Sequence, residues 1–175
     1  MGRNTQNNTV VATAPVNESV VIKTTIKTIN VIAANEGARY RVTFNDSFLA
    51  MVKNYDTDVY EEKEVDYINF NPSVLIAQCI NHVDGLDIMY TKKKEKAIRN
   101  DDGNNFGAAE LQVILKGAKL ELTRTKFEAG SEYTTKDGSV ETHENAGYNT
   151  DITKITVSDR IQAKLDEMAF AIFDL

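Results

Sequence analysis

The residues able to do covalent chemistry are few in this chain. One cysteine, Cys79, and two histidines, His82 and His143, are its whole supply of thiol and imidazole. A nucleophile needs a base beside it, and Cys79 sits inside the apolar run Val74–His82 (VLIAQCINH), where a thiol is desolvated and inert. His82 stands where a side chain caps the last carbonyls of a helix, and His143 lies in a polar hairpin. No phosphate-cradling glycine motif surrounds Gly117. A lone cysteine excludes an internal disulfide framework and a cysteine-based zinc cluster. The loop Asp101-Asp102-Gly103-Asn104-Asn105 is rich in oxygen but lacks the spacing and closing glutamate of a calcium loop. The acidic run Tyr55–Asp66 (YDTDVYEEKEVD) reads as a solvated face, with a divalent-cation site as its alternative. No metal, no cofactor and no catalytic activity are therefore expected.

Cations and rings remain. Lys92, Lys93, Lys94, Lys96 and Arg99 form a basic strip against one acid, Glu95. The formal net charge is −6, but net charge governs solubility and steering rather than local contact. A basic strip on an acidic protein can still hold a phosphate backbone. Binding of a single strand without sequence preference needs cations along the backbone path and flat rings for the bases. The strip follows Tyr90, and Arg39 and Arg41 flank Tyr40. Arg124, Lys126 and Phe127 end another expected strand, and Tyr67 lies on a third. Tyr40, Val42 and Phe44 are equally spaced like core residues, as are Val65 with Tyr67 and Ile68 with Phe70.

The elements that must position these groups follow from periodicity. Residues 1–17 read as a flexible N-terminal arm, residues 18–158 as one domain, and residues 159–175 as a C-terminal helix and tail. Ser19–Ala34 alternates with period two and heavy β-branching, hence a long strand. Its inward face changes near Ile29–Val31, which calls for a bulge or bend. Asn35-Glu36-Gly37 signals a turn, and Arg39–Phe44 returns as a second strand. Phe48–Lys53 is either a capped helical turn or a continuing strand. Lys63–Phe70 is a third strand, with Tyr67 and Phe70 on opposite faces. Asn71-Pro72 opens a helix over Val74–His82. Leu86–Tyr90 reads as a strand, and Leu111–Leu115 is an apolar segment broken by Gly117. Lys119–Phe127 is a strand, and a hairpin turns at Lys136-Asp137-Gly138. Asn149–Val157 is the last strand. Ser158 caps a helix whose stripe is Ile161, Leu165, Met168 and Ile172.

With 175 residues, 42% hydrophobic and 26% charged, the composition suits one soluble globular domain. No apolar run approaches a membrane span, and the polar first residues lack the apolar stretch of a signal peptide. A cytoplasmic protein with no membrane contact is expected. The element order fits a mostly β fold: a five-stranded OB-like Greek-key barrel with a short helix between strands 3 and 4, a long hairpin and a C-terminal helix. A β-sandwich with helical additions is the rival.

Val20–Val31 (VVIKTTIKTINV), the return Ala38–Phe44 (ARYRVTF), and Leu115–Thr135 with the strand TDITKITVSD carry a resemblance. On these segments, from about Ser19 to Ser158, the chain resembles the OB-fold single-stranded-DNA-binding proteins of tailed, crAss-like bacteriophages that infect Bacteroidetes. The resemblance implies coating of exposed single strands in DNA replication or recombination, without enzymatic activity. Relatives often end in an acidic tail with a terminal hydrophobic pair that recruits replication or recombination proteins. Here Phe173 and Leu175 would fill that role, although the end runs on from a helix and Ile172 equally extends its stripe into the core or a dimer contact. Self-association stays open.

The expected interface therefore comprises Arg39, Arg41, Tyr40, Tyr67, Tyr90, Lys92, Lys93, Lys94, Lys96, Arg99, Arg124, Lys126 and Phe127. The competing classes are a virion structural or assembly protein with no nucleic-acid site, and a small enzyme using an acidic metal site.

Overall fold

The computed structural model describes the backbone of residues 18–34, 37–91 and 108–173, and the side chains of 18–33, 37–91 and 109–168. The expected N-terminal arm, the basic strip Lys92 to Arg99, the Asp101–Asn105 loop, the Phe173 side chain and Leu175 lie outside the described residues.

The strands are β1 (Ser19–Ala34), β2 (Gly37–Asn54), β3 (Val59–Phe70), β4 (Lys119–Phe127), β5 (Glu132–Thr134), β6 (Val140–Thr142) and β7 (Gly147–Thr156). The helices are α1 (Pro72–His82), α2 (Ala108–Leu115) and α3 (Asp159–Phe173), with a further short helical stretch at residues 86–91. Five strands form one antiparallel sheet in the order β3-β2-β1-β4-β7, and β5 and β6 form a separate hairpin. The mostly β, five-stranded expectation is met at this level, with β3 and β7 as the edges of the sheet.

The length of β1 has a purpose. Its first half, Ser19–Thr25, pairs with β4, and its second half, from Ile26 to Ala34, pairs with β2. The handover falls at an irregularity between Ile26 and Thr28, a little before the bend expected at Ile29–Val31. There the Ile26 N–H donates to Ala118 O and Gly117 N–H donates to Ile26 O, both at 2.9 Å. Gly117 has φ of 78°, a left-handed conformation that glycine adopts without a Cβ penalty. The Ile29 N–H donates to Gln112 Oε1, which ties α2 across the bend.

β2 is also two-part. Its start pairs with β1, and after an irregularity between Thr43 and Phe48 it continues as a ribbon with β3, Phe48–Asn54 against Val65–Val59. The undecided Phe48–Lys53 segment is therefore strand. The slip also changes which residues face inward: Ile68 and Phe70 serve the core on one side of it, and Val65 on the other. The apolar positions of β3 therefore do not keep one alternation along its whole length.

The α1 cap is as read. The Asn71 side chain accepts from the Ser73 N–H at 3.1 Å, and Pro72 occupies the first turn. The expected strand at Leu86–Tyr90 is a correction: residues 86–91 are helical. Five residues are too few for periodicity to separate strand from buried helix. Leu86 is fully buried and Met89 and Tyr90 pack beside it, a helical spacing. Leu111–Leu115 is the end of α2. Ser158 Oγ accepts from the Ile161 N–H at 3.3 Å at the start of α3, whose Ile161 and Leu165 are buried. The described residues form one core, with Phe44, Leu75, Leu86, Leu111, Leu115 and Leu122 at its centre. At the roughly 25 cal/mol per Å² that apolar burial contributes, such residues dominate the stability of the fold.

Candidate nucleic-acid interface

Across its first pairing with β3, β2 alternates strictly. Tyr40, Val42 and Phe44 are buried, while Arg41 and Thr43 face the other way. Arg41 is directly opposite Asn69, and Thr43 is opposite Tyr67, so these four share the outer face. The Arg41 guanidinium lies over the Tyr67 ring, 4.2 Å from its centroid, and its Nε donates to Asn69 Oδ1 at 3.0 Å. This is a preformed cation–ring stack on an accessible face.

The stack forms one wall of a groove of about 450 Å³. The β2–β3 ribbon supplies the rest: Lys53, Tyr55 and Tyr60 at the turn, and Met51, Val52 and Val65 along its length. Tyr55 is 88% exposed and Tyr60 38%. No carboxylate is among the described lining residues. Asp58, the turn residue with φ of 60°, reaches Lys53 Nζ at 2.5 Å, and its hydrogen bond and charge hold that ammonium above its ordinary pKa. On the far side of Tyr67 the surface changes sign: Glu64 and Asp66, with Ser47, line a shallow depression.

Arg124 closes the floor of the groove. It is 6% exposed and sandwiched between two rings, 4.6 Å from the Phe48 centroid and 4.4 Å from that of Tyr148. Its Nη1 donates to Leu49 O, and its Nε donates to Thr150 Oγ1 at 3.1 Å. Burial lowers its pKa, with Tyr148 acting in the opposite sense. Arginine titrates so high that it stays cationic. The residue therefore joins the ribbon to the β4–β7 side of the molecule.

The expected interface residues thus separate. Arg41 and Tyr67 come together with Arg124 in one groove. Tyr40 is a core residue, 8% exposed, and its ring is closed to a base; burial and the charge of Glu110 push its hydroxyl pKa up. Arg124 is a buried tie between layers, not an exposed phosphate ligand. Lys126 is drawn to acids, 3.5 Å from Glu62 and 3.9 Å from Glu128. Phe127 stacks on His143 with centroids 3.8 Å apart, and His143 stacks on Tyr133 at 4.3 Å, so that ring supports the β5–β6 hairpin. Tyr90 packs against the core. Arg39 is opposite Ile32 and is not among the residues lining the groove.

The sequence reading missed Tyr55, Tyr60 and Lys53. All three sit in or beside the stretch Tyr55–Asp66, whose six acids hid the rings at its start. The available signal was the alternation: Tyr60 lies between Val59 and Glu61, and a strand sends neighbours to opposite faces.

Among the described residues no cluster of three histidine, cysteine or acidic side chains is arranged to hold a metal ion. No described helix is long and apolar enough to cross a membrane. No protein-family model matches the chain, and no curated protein matches it.

Proposed function

We propose that this protein binds single-stranded DNA without strong sequence preference, along the groove between the β2–β3 ribbon and the end of β4. The observation that carries the reading is the Arg41–Tyr67 stack set in a groove with Tyr55, Tyr60 and Lys53 and no lining carboxylate. Stacking on exposed rings contributes about 1–3 kcal/mol per base and tolerates any base, because each has a π face. Arg41 supplies the charge for phosphates, with Lys53, ion-paired to Asp58, at the other end of the groove.

In the same proposal the fold is an OB-like Greek-key barrel. The strand order, a first strand shared by both halves and helices between β3 and β4 support it. So do the contacts between the edge strands and their neighbours: Tyr148 OH donates to Glu62 Oε1, and Lys126 reaches the same carboxylate. OB barrels use the face of strands 2 and 3 for oligonucleotides. The phage-type resemblance points the same way, toward a non-catalytic protein that protects exposed strands in replication or recombination, in the cytoplasm of the host cell.

The test is fluorescence anisotropy with labelled oligo-dT and a duplex of equal length, at two salt concentrations. Expected are preference for the single strand and affinity falling as salt rises. Equal or absent binding of both, with self-assembly on size exclusion, would overturn the reading in favour of a virion structural or assembly role.

A further inference from the structure

We propose that the outer face of β1, β4 and β7 carries a second site, for a phosphate group, built from Lys119 and Lys154 with Thr25 and Thr156. The antiparallel registers set six residues in two adjacent rows, Lys23–Glu121–Lys154 and Thr25–Lys119–Thr156. Directly opposed residues share a face, as do residues two apart on one strand, so all six side chains stand on the same side of the sheet. With strands about 4.8 Å apart, lysines from three strands stand over one small area. The six line a pocket of about 310 Å³, at the small end for ligand sites.

The two carboxylates of this pocket are already engaged. Glu121 is 3.5 Å from Lys23 Nζ. Asp46 Oδ2 accepts from Thr24 Oγ1, a hydroxyl on a residue only 5% exposed, at 3.0 Å. Among the described residues no carboxylate comes within ion-pair distance of Lys119 or Lys154. Lys119 and Lys154, with two hydroxyls, thus line a concavity whose two carboxylates are held by Lys23 and by Thr24 instead. Phosphate oxygens suit this donor set, because they accept several charge-assisted hydrogen bonds at once, and lysine serves phosphate as a point charge. The donors come from strands of one sheet, so the spacing of the residues that carry them is set before a ligand arrives.

The same chemistry is offered by inorganic phosphate and by the phosphodiester backbone of a nucleic acid. The test is an amide NMR titration of the full chain in a phosphate-free buffer at constant ionic strength. Inorganic phosphate is one arm, and oligo-dT lacking terminal phosphates is the other. Expected are saturable shifts at residues 25, 119, 154 and 156 in at least one arm, which also identifies the source. Affinity at these residues should fall tenfold or more in Lys119→Gln/Lys154→Gln and be kept in Lys119→Arg/Lys154→Arg. Shifts that never saturate in either arm, or that persist unchanged in the glutamine variant, overturn the proposal. In the inorganic-phosphate arm Tyr67→Ala should leave the response intact, so this site and the groove succeed or fail separately.

Discussion

The Arg41 guanidinium and the Tyr67 ring hold each other in place: the cation lies 4.2 Å above the ring, and Asn69 fixes its Nε. A ring held this way loses little rotamer freedom when a base stacks on it, which lowers the entropic cost of binding. Tyr67→Ala is expected to weaken oligo-dT binding by about 5–150-fold, the equivalent of 1–3 kcal/mol. Arg41→Ala should weaken it and flatten the logarithmic salt dependence by about one unit. The same anisotropy titration reads both. Unchanged affinity in both variants would remove this stack from the interface.

Arg124 makes the opposite prediction, because its partners are internal. Arg124→Met strands the Leu49 carbonyl and leaves Phe48 and Tyr148 without the cation between them. Hydrogen bonds to charged groups contribute about 1.5–3 kcal/mol each, so unfolding in urea should show a loss of about that size. An exposed phosphate ligand would have cost almost nothing on removal.

The fates of these two arginines show what the sequence made legible. Period two placed Arg41 opposite Tyr40 in β2, and that alternation is local, so it survived folding intact. The same rule puts Arg124 on the face of Leu120 and Leu122, where the turn from apolar to basic along β4 reads as a strand leaving the core. What it leaves instead is solvent: the β2–β3 ribbon folds over that end of β4 and buries the guanidinium. Nothing local to β4 encodes that, because the covering residues are Phe48 and Leu49. The positions of most strands and the Asn71 cap were likewise readable from short-range signals. Leu86–Tyr90 was misread because a five-residue apolar run carries no resolvable period. Tyr60 went unseen because charge counting over a window averages two faces that a strand keeps apart, and Tyr55 because it stands in the turn before β3.

Cys79 yields a prediction about reactivity and pH. The thiol is fully buried, and desolvation pushes its pKa up to about 12 from an ordinary value of 9.0. The folded protein should resist alkylation at pH 8, with labelling appearing only as denaturant unfolds it. The sign of the linkage follows. Below pH 9 both states hold the proton and the full stability is present. Above it the unfolded chain ionises first, so stability falls as pH rises toward 12. Rapid labelling of the native protein at pH 8 would contradict the burial.

Tyr148 and Glu62 link the β7 and β3 edges. Burial first, and the bond to Glu62 second, push the Tyr148 hydroxyl up to about 12, while the same bond lowers the Glu62 carboxyl. Tyr148→Phe keeps the ring beside Arg124 and removes the bond. A net loss of about 0.5–1.5 kcal/mol is expected, read by urea unfolding. Amide exchange should quicken in β3 near Glu62. A variant as stable and as protected as the parent would mean that the edges are held by other contacts.

Gly147 has no room for a side chain. It is directly opposite Phe127, and a Cβ built on it would lie 2.5 Å from Phe127 Cζ and 3.0 Å from Cε2. A large ring laid over a cross-strand glycine compensates for the side chain the glycine lacks. The ring cannot easily retreat, because His143 stacks on it at 3.8 Å and Tyr133 lies beyond. His143 is itself fixed by its backbone: its N–H donates to Ser131 O at 2.9 Å, and its carbonyl accepts from Gly130 at 2.7 Å. Gly147→Ala should therefore cost about 1–3 kcal/mol, the usual range for overpacking. Replacing Phe127 with leucine in the same chain shortens the obstructing group. The double variant should then be less destabilised than the sum of the singles, a coupling that a double-mutant cycle measures directly. Strict additivity would mean that the ring already swings clear of the glycine.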